Sequence, residues 1–119
     1  MLQVKLAVIF SFVIFVISAC FNSGQKGYVI ADSKTYEASL FRQHCAICHG
    51  PEGEGKVLDD GTKVPSLRKG EFKFHTEAEI YNQISNGGNG MTPFRDQLTE
   101  REVKLLTGLV LNDLRGNNK

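Results

Sequence analysis

An all-α domain is the fold class that three features of the chain predict. Thr76 with Glu79, and Thr99 with Glu102, each spell a capping box, the reciprocal pairing of side chain and backbone that starts a helix. Behind the second box, Val103, Leu106, Val110 and Leu114 recur at helical spacing and line one face with apolar side chains. Phe41, Cys45 and Cys48 make a second stripe near the start of the domain, with Leu40 beside it. At 119 residues the chain is below the size at which chains usually divide, so one domain is expected.

Residues 1–19 read as an address, not as part of that domain. Lys5 supplies a positive start, Leu6 to Ile17 is apolar apart from Ser11, and Ile17-Ser18-Ala19-Cys20 places small residues before a cysteine. The pattern resembles the lipobox of bacterial lipoproteins, which implies cleavage before Cys20 and lipidation of that residue. Two alternatives stay open, an uncleaved signal anchor and a plain secretory leader with a free Cys20, because the apolar run approaches spanning length only when Ser18 to Phe21 are counted. Residues 20–33 then serve as a lipid-anchored tether, loosened by Gly24 and Gly27, with a root-mean-square reach of about 20 Å if flexible. Tyr28-Val29-Ile30 is a small apolar patch within it, for which docking back on the domain and a free state both stay open. The domain itself is expected over 34–119.

A helix is expected from about Lys34 to Cys48, carrying the first stripe. Gly50 to Gly61 follows as a surface loop. Its Gly50-x-x-x-x-Gly55-Lys56 imitates a phosphate-binding loop, but Val57 stands where a magnesium-binding hydroxyl belongs and no apolar strand precedes it. Thr76 and Glu79 cap a helix through Ser85, with Ile80, Tyr81 and Ile84 inward, and Asn86-Gly87-Gly88 stops it. Leu98 and Val103 occupy the hydrophobic-staple positions of the last helix, which should pack on the first.

Cys45-Ala46-Ile47-Cys48-His49 carries the chemistry. Two thiols three residues apart share a helical face and can add to the vinyl groups of a porphyrin, leaving His49 to offer a ring nitrogen to the iron. A structural zinc site would need a fourth ligand and usually a second pair, and the chain has three cysteines in all. A thioredoxin-type dithiol would want a strand before it, where this sequence reads as helix. The sixth iron position falls to Met91, because the other methionine, Met1, lies in the leader. Asn89-Gly90-Met91-Thr92-Pro93-Phe94 is a glycine-bearing loop stiffened at its exit by proline, a setting for a ligand more than for core filler. His44 adjoins Cys45 on the same helix, so it cannot reach the far face of a haem bonded to its neighbour. His75 competes only weakly, as a surface or helix-start residue.

Cys45-Ala46-Ile47-Cys48-His49-Gly50, Val64-Pro65-Ser66-Leu67, Gly90-Met91-Thr92-Pro93-Phe94 and Leu98-Thr99 together resemble the small bacterial class I monohaem cytochromes c, over about Tyr36 to Leu114. The resemblance implies the class I cytochrome c fold, a few helices wrapped around one covalent haem, with electron transfer as the activity. It implies thioethers at Cys45 and Cys48, His49 as proximal and Met91 as distal ligand, and the Pro65 carbonyl as acceptor for the proximal imidazole. Thr92 departs from the pattern, since many relatives have proline directly after the methionine.

The 14 basic and 13 acidic residues nearly balance, which excludes the electrostatic footprint of a nucleic-acid binder. A methionine sulfur favours ferrous iron relative to a second imidazole, and burial raises the potential further. The expected function is therefore a single-electron carrier, not an enzyme, using one haem c. It would shuttle between membrane-bound partners such as a quinol-oxidising complex and a terminal oxidase. Its expected place is the bacterial cell envelope, as a membrane-anchored lipoprotein facing the periplasm or extracytoplasmic space. The alternative is a haem enzyme or gas-binding sensor, peroxidase-like or binding diatomic ligands, with a displaceable Met91. Lys56, Lys63, Arg68, Lys69 and Lys73 offer a docking rim, but Glu52, Glu54, Asp59, Asp60 and Glu71 interleave with them, so a mixed solvated surface is the plainer expectation. Arg68 is a candidate partner for a haem propionate.

Overall fold

The computed structural model describes residues 1–9 and 27–116. Most of the leader, Cys20 and the first half of the expected tether lie outside the described residues. Residues 2–9 are helical, and among the described residues no helix is long and apolar enough to cross a membrane.

Thr35 opens α1 (Tyr36–His44), its hydroxyl accepting from the Ala38 amide at 3.4 Å. Ala38, Leu40 and Phe41 are the buried side of this helix. The single helix expected through Cys48 is interrupted at Cys45, whose φ of −112° ends α1 before α2 (Ala46–His49) resumes. The amides of Cys48 and His49 both bond to the Cys45 carbonyl, at 3.2 and 2.9 Å, so the haem-type motif forms its own tight turn. Gly50, at φ +83°, then turns the chain out of the helix.

The loop expected over Gly50 to Gly61 holds one strand of a small hairpin. β1 (Lys56–Val57) pairs antiparallel with β2 (Lys63–Val64), Lys56 opposite Val64 and Val57 opposite Lys63. Two-residue strands carry no alternation that a sequence pattern could reveal. The fold is therefore mostly helical with a two-stranded sheet added.

Both predicted capping boxes are present, at Thr76 for α3 (Glu77–Asn86) and at Thr99 for α4 (Glu100–Gly108). The chain beyond α4 continues as a wider, π-helical stretch over Leu109–Leu114. Val103, Leu106, Val110 and Leu114 are all buried, as the periodicity requires, and α4 packs against both α1 and α3. One core joins them, with Phe41, Ile80, Ile84 and Leu98.

Among the described residues, packing reaches further toward the N-terminus than the domain start expected at Lys34. Ile30, assigned there to the tether, is 0 % exposed and belongs to the core. Its amide and that of Ala31 donate to the Glu52 carboxylate, each at 2.8 Å, while Arg42 Nη1 donates to the carbonyls of Ile30 at 2.6 Å and Ser33 at 3.1 Å. Arg68 completes the latch: its guanidinium bonds the Glu52 carbonyl, the Glu52 carboxylate at 3.0 Å and the Tyr28 carbonyl at 2.9 Å. These partners lie far apart in sequence, so only the folded chain displays them.

Candidate functional site

A cavity of about 290 Å³ opens between α1, α2, the segment after β2, α3, its following loop and the last helix. Cys45, Cys48, His49, Pro65 and Met91 all line it. Phe41, Ile80, Ile84, Leu106 and Val110 extend the hydrophobic core to its wall. Every site residue predicted within the domain thus meets at one place, whereas Cys20 lies outside the described residues.

His49 is held by the backbone around it. Its carbonyl accepts from the Gly55 amide at 2.8 Å, which brings the chain back beneath α2. At Gly55, φ is +81° and a Cβ would stand 2.6 Å from the Val64 carbonyl oxygen and 2.9 Å from the Pro65 carbonyl carbon. Only glycine allows the Pro65 segment so close. Burial lowers the pKa of His49, and the neighbouring Pro65 carbonyl pulls it the other way. Nδ1 is buried without a hydrogen-bond partner among the described residues, and the Pro65 carbonyl is the neighbouring backbone acceptor. A neutral ring is the form that ligates iron.

The two thiols are free, Cys48 exposed and Cys45 half-buried. Burial first, and the neighbouring Cys48 second, push the Cys45 thiol up to about 12. A redox-active dithiol requires the opposite shift, toward thiolate at neutral pH. Among the described residues no three His, Cys, Asp or Glu side chains gather as an ion site.

Met91 sits in a turn closed by two bonds, Gly88 N to Met91 O at 2.9 Å and Met91 N to Gly88 O at 3.0 Å. Gly87 makes that turn possible: at φ +65° it carries the backbone past Met91 so closely that a Cβ would lie 2.5 Å from the Met91 oxygen. Gln83, one helical turn before the end of α3, donates Nε2 to the Gly88 carbonyl at 2.9 Å and to Met91 Sδ at 3.7 Å. Sequence reading missed Gln83, because nothing local marks a polar residue that reaches forward onto a loop.

His44 lines the cavity but packs edge-on against Phe94, with ring centroids 6.1 Å apart. His75 is exposed at the start of α3, its amide on the Glu79 carboxylate. Arg68, expected near a propionate, is instead spent on Glu52 and Tyr28. Arg115 is the guanidinium on the cavity wall. A lone arginine after the last helix gave no signal in the sequence.

A family model described as cytochrome c oxidase, cbb3-type, subunit III, matches residues 36–108, more than half of the chain. The chain belongs to this cytochrome c family. Cytochrome c6 of Gracilaria tenuistipitata var. liui is 29% identical over 101 residues, covering 85% of this chain and 91% of that protein. Cytochrome c6 of Synechococcus elongatus is 28% identical over 75 residues, 63% of this chain and 84% of the relative. A solved structure, the KustC0563 c-type cytochrome, superposes with a TM-score of 0.54 at 34% identity, covering 68% of this chain and 95% of that one. A thiosulfate dehydrogenase of Psychrobacter arcticus (strain DSM 17307 / VKM B-2377 / 273-4) shares 40% identity over 58 residues, but these are only 17% of its length. This cytochrome is small and carries a single c-type haem, covalently bound, and its activity is haem-based electron transfer.

Proposed function

We propose that this cytochrome is a single-electron carrier whose haem is bonded to Cys45 and Cys48 and ligated by His49 and Met91. The observation that carries the reading is the convergence of those four side chains on one mainly apolar cavity. The residues suit the group: a half-buried imidazole with a backbone acceptor beside it, two unpaired thiols on one turn, and a thioether fixed by a glycine-dependent loop. When bound, the haem supplies a ferric/ferrous couple. His49 and Met91 would hold its iron and leave no position for substrate, and the close backbone approaches at Gly55 and Gly87 would keep the two side chains in place. The apolar wall excludes water and raises the potential by penalising the extra ferric charge.

The carrier works in the cell envelope of a bacterium, held at the membrane through lipid on Cys20. It exchanges electrons with membrane-bound partners such as a quinol-oxidising complex and a terminal oxidase. What supports this placement is the leader pattern ending at Cys20, the covalent haem motif, and a family description that names an oxidase subunit.

The test is intact mass with thiol alkylation on protein made in a host competent in haem maturation. The expected product carries one haem mass and leaves Cys45 and Cys48 unreactive. Colourless protein with both thiols alkylated overturns the proposal.

A further inference from the structure

Arg115 follows the π-helical end of the last helix and lines the same cavity as His49 and Met91. Its guanidinium carbon stands 3.8 Å from the ring centroid of Phe72, and Nη1 donates to the Phe74 carbonyl at 2.7 Å. Stack and bond hold the planar fork in one orientation. Nε is then buried with no hydrogen-bond partner among the described residues. A cationic donor left so is costly unless an anion meets it.

The other titratable groups on the cavity outside the Cys45 to His49 motif are His44, Lys63, Glu71 and Lys73. His44 is packed on Phe94, Lys73 donates to Asn89 at 2.8 Å, Lys63 is exposed on β2, and Glu71 is exposed and has the wrong sign for an anion. Arg115 alone among them combines a fixed orientation with a buried donor awaiting an acceptor.

We infer that Arg115 binds a carboxylate of the haem, one of its two propionates, keeping it ionised and fixing how the haem sits in the cavity. The inference rests on the proposed occupation of this cavity by haem. It also replaces Arg68 in that role. The consequence is electrostatic: without the guanidinium, an unpaired carboxylate near the iron favours the ferric state and lowers the potential. Its pKa then rises toward neutrality, and because ferric iron favours the ionised carboxylate, oxidation releases a proton and the potential falls with rising pH.

The experiment is a potentiometric titration of holoprotein at several pH values across neutrality, for the wild type, Arg115→Gln and Arg68→Gln. Arg115→Gln should retain its haem, show a lower potential, and acquire a pH dependence that the wild type and Arg68→Gln lack. A wild-type potential and pH profile in Arg115→Gln overturns the inference, as does an equal change in Arg68→Gln. Should the glutamine variant fail to mature, nuclear Overhauser contacts in the wild-type holoprotein decide: contacts between Arg115 Nε–H and propionate methylenes support the inference, and their absence overturns it. Wild-type protein lacking covalent haem would instead defeat the proposed function itself, and that result is visible before any variant is compared.

Discussion

Gln83 Nε2 donates to the sulfur of Met91 at 3.7 Å while also bonding the Gly88 carbonyl at 2.9 Å. With Met91 as the proposed ligand, the first bond would draw electron density from the thioether and favour ferrous iron. The second ties α3 to the loop that carries the sulfur. Replacing Gln83 by Leu should lower the potential. If the net hydrogen bond is on the order of 0.5–1.5 kcal/mol, the one-electron shift is at most about 20–65 mV. Equilibrium redox titration checks it, and an unchanged potential would show that this amide does not act on the ligand.

Gly87→Ala probes the same loop from the backbone. Its φ of +65° and ψ of −150° lie where side chains are strained, and the added Cβ would press on the Met91 oxygen and the Pro93 nitrogen. A cost of about 1–3 kcal/mol is expected from the conformation alone. Chemical denaturation of the holoprotein should report that loss, together with a weakened sulfur-to-iron charge-transfer band.

The N-terminal latch predicts where the domain can be cut. Removal of everything before Lys34 deletes Ile30 from the core and strips Glu52, Arg68 and Arg42 of backbone partners. Burial of one isoleucine alone is worth about 1.5–3 kcal/mol. A fragment starting at Lys34 should therefore unfold at lower denaturant than one starting at Gly27. Equal midpoints would mean that the segment adds nothing.

Acid should loosen both capped helices. Backbone donation from His75 and Thr76 lowers the pKa of Glu79, and the Tyr36 hydroxyl followed by the Thr99 amide lowers that of Glu102. Because these folded values lie below the ordinary carboxylate value, the stabilisation is complete above the unfolded pKa and is lost as pH falls through the folded one. Thermal melts at descending pH should show a shallower acid loss in the Glu79→Gln, Glu102→Gln double variant than in the wild type. An identical acid slope would remove the two glutamates from the account.

The parts legible in the sequence are those whose physics is local. Cys45, Cys48 and His49 fall on one short turn and so reach one cavity together, capping boxes mark Thr76 and Thr99, and the stripe from Val103 to Leu114 follows helical periodicity. Met91 could be singled out because it is the one methionine besides Met1. The rest depends on partners distant in the chain. Ile30 looked like tether because the core it joins and the side chains that hold its backbone, Glu52 and Arg42, lie further along the chain. Cys45 looked like mid-helix because the side-chain pattern is blind to a change in φ. Arg68 and Arg115 are chemically identical in the sequence, and only packing assigns one to the latch and the other to the cavity.

The central claim is that Met91 closes the sixth position of an iron held by His49, and carbon monoxide binding to the ferrous protein tests it most directly. The wild type should bind the gas slowly or not at all and show the sulfur-to-iron charge-transfer band when oxidised, while Met91→Ala should lose that band and bind rapidly. Rapid binding by the wild type, or a Met91→Ala spectrum identical to it, would contradict the account.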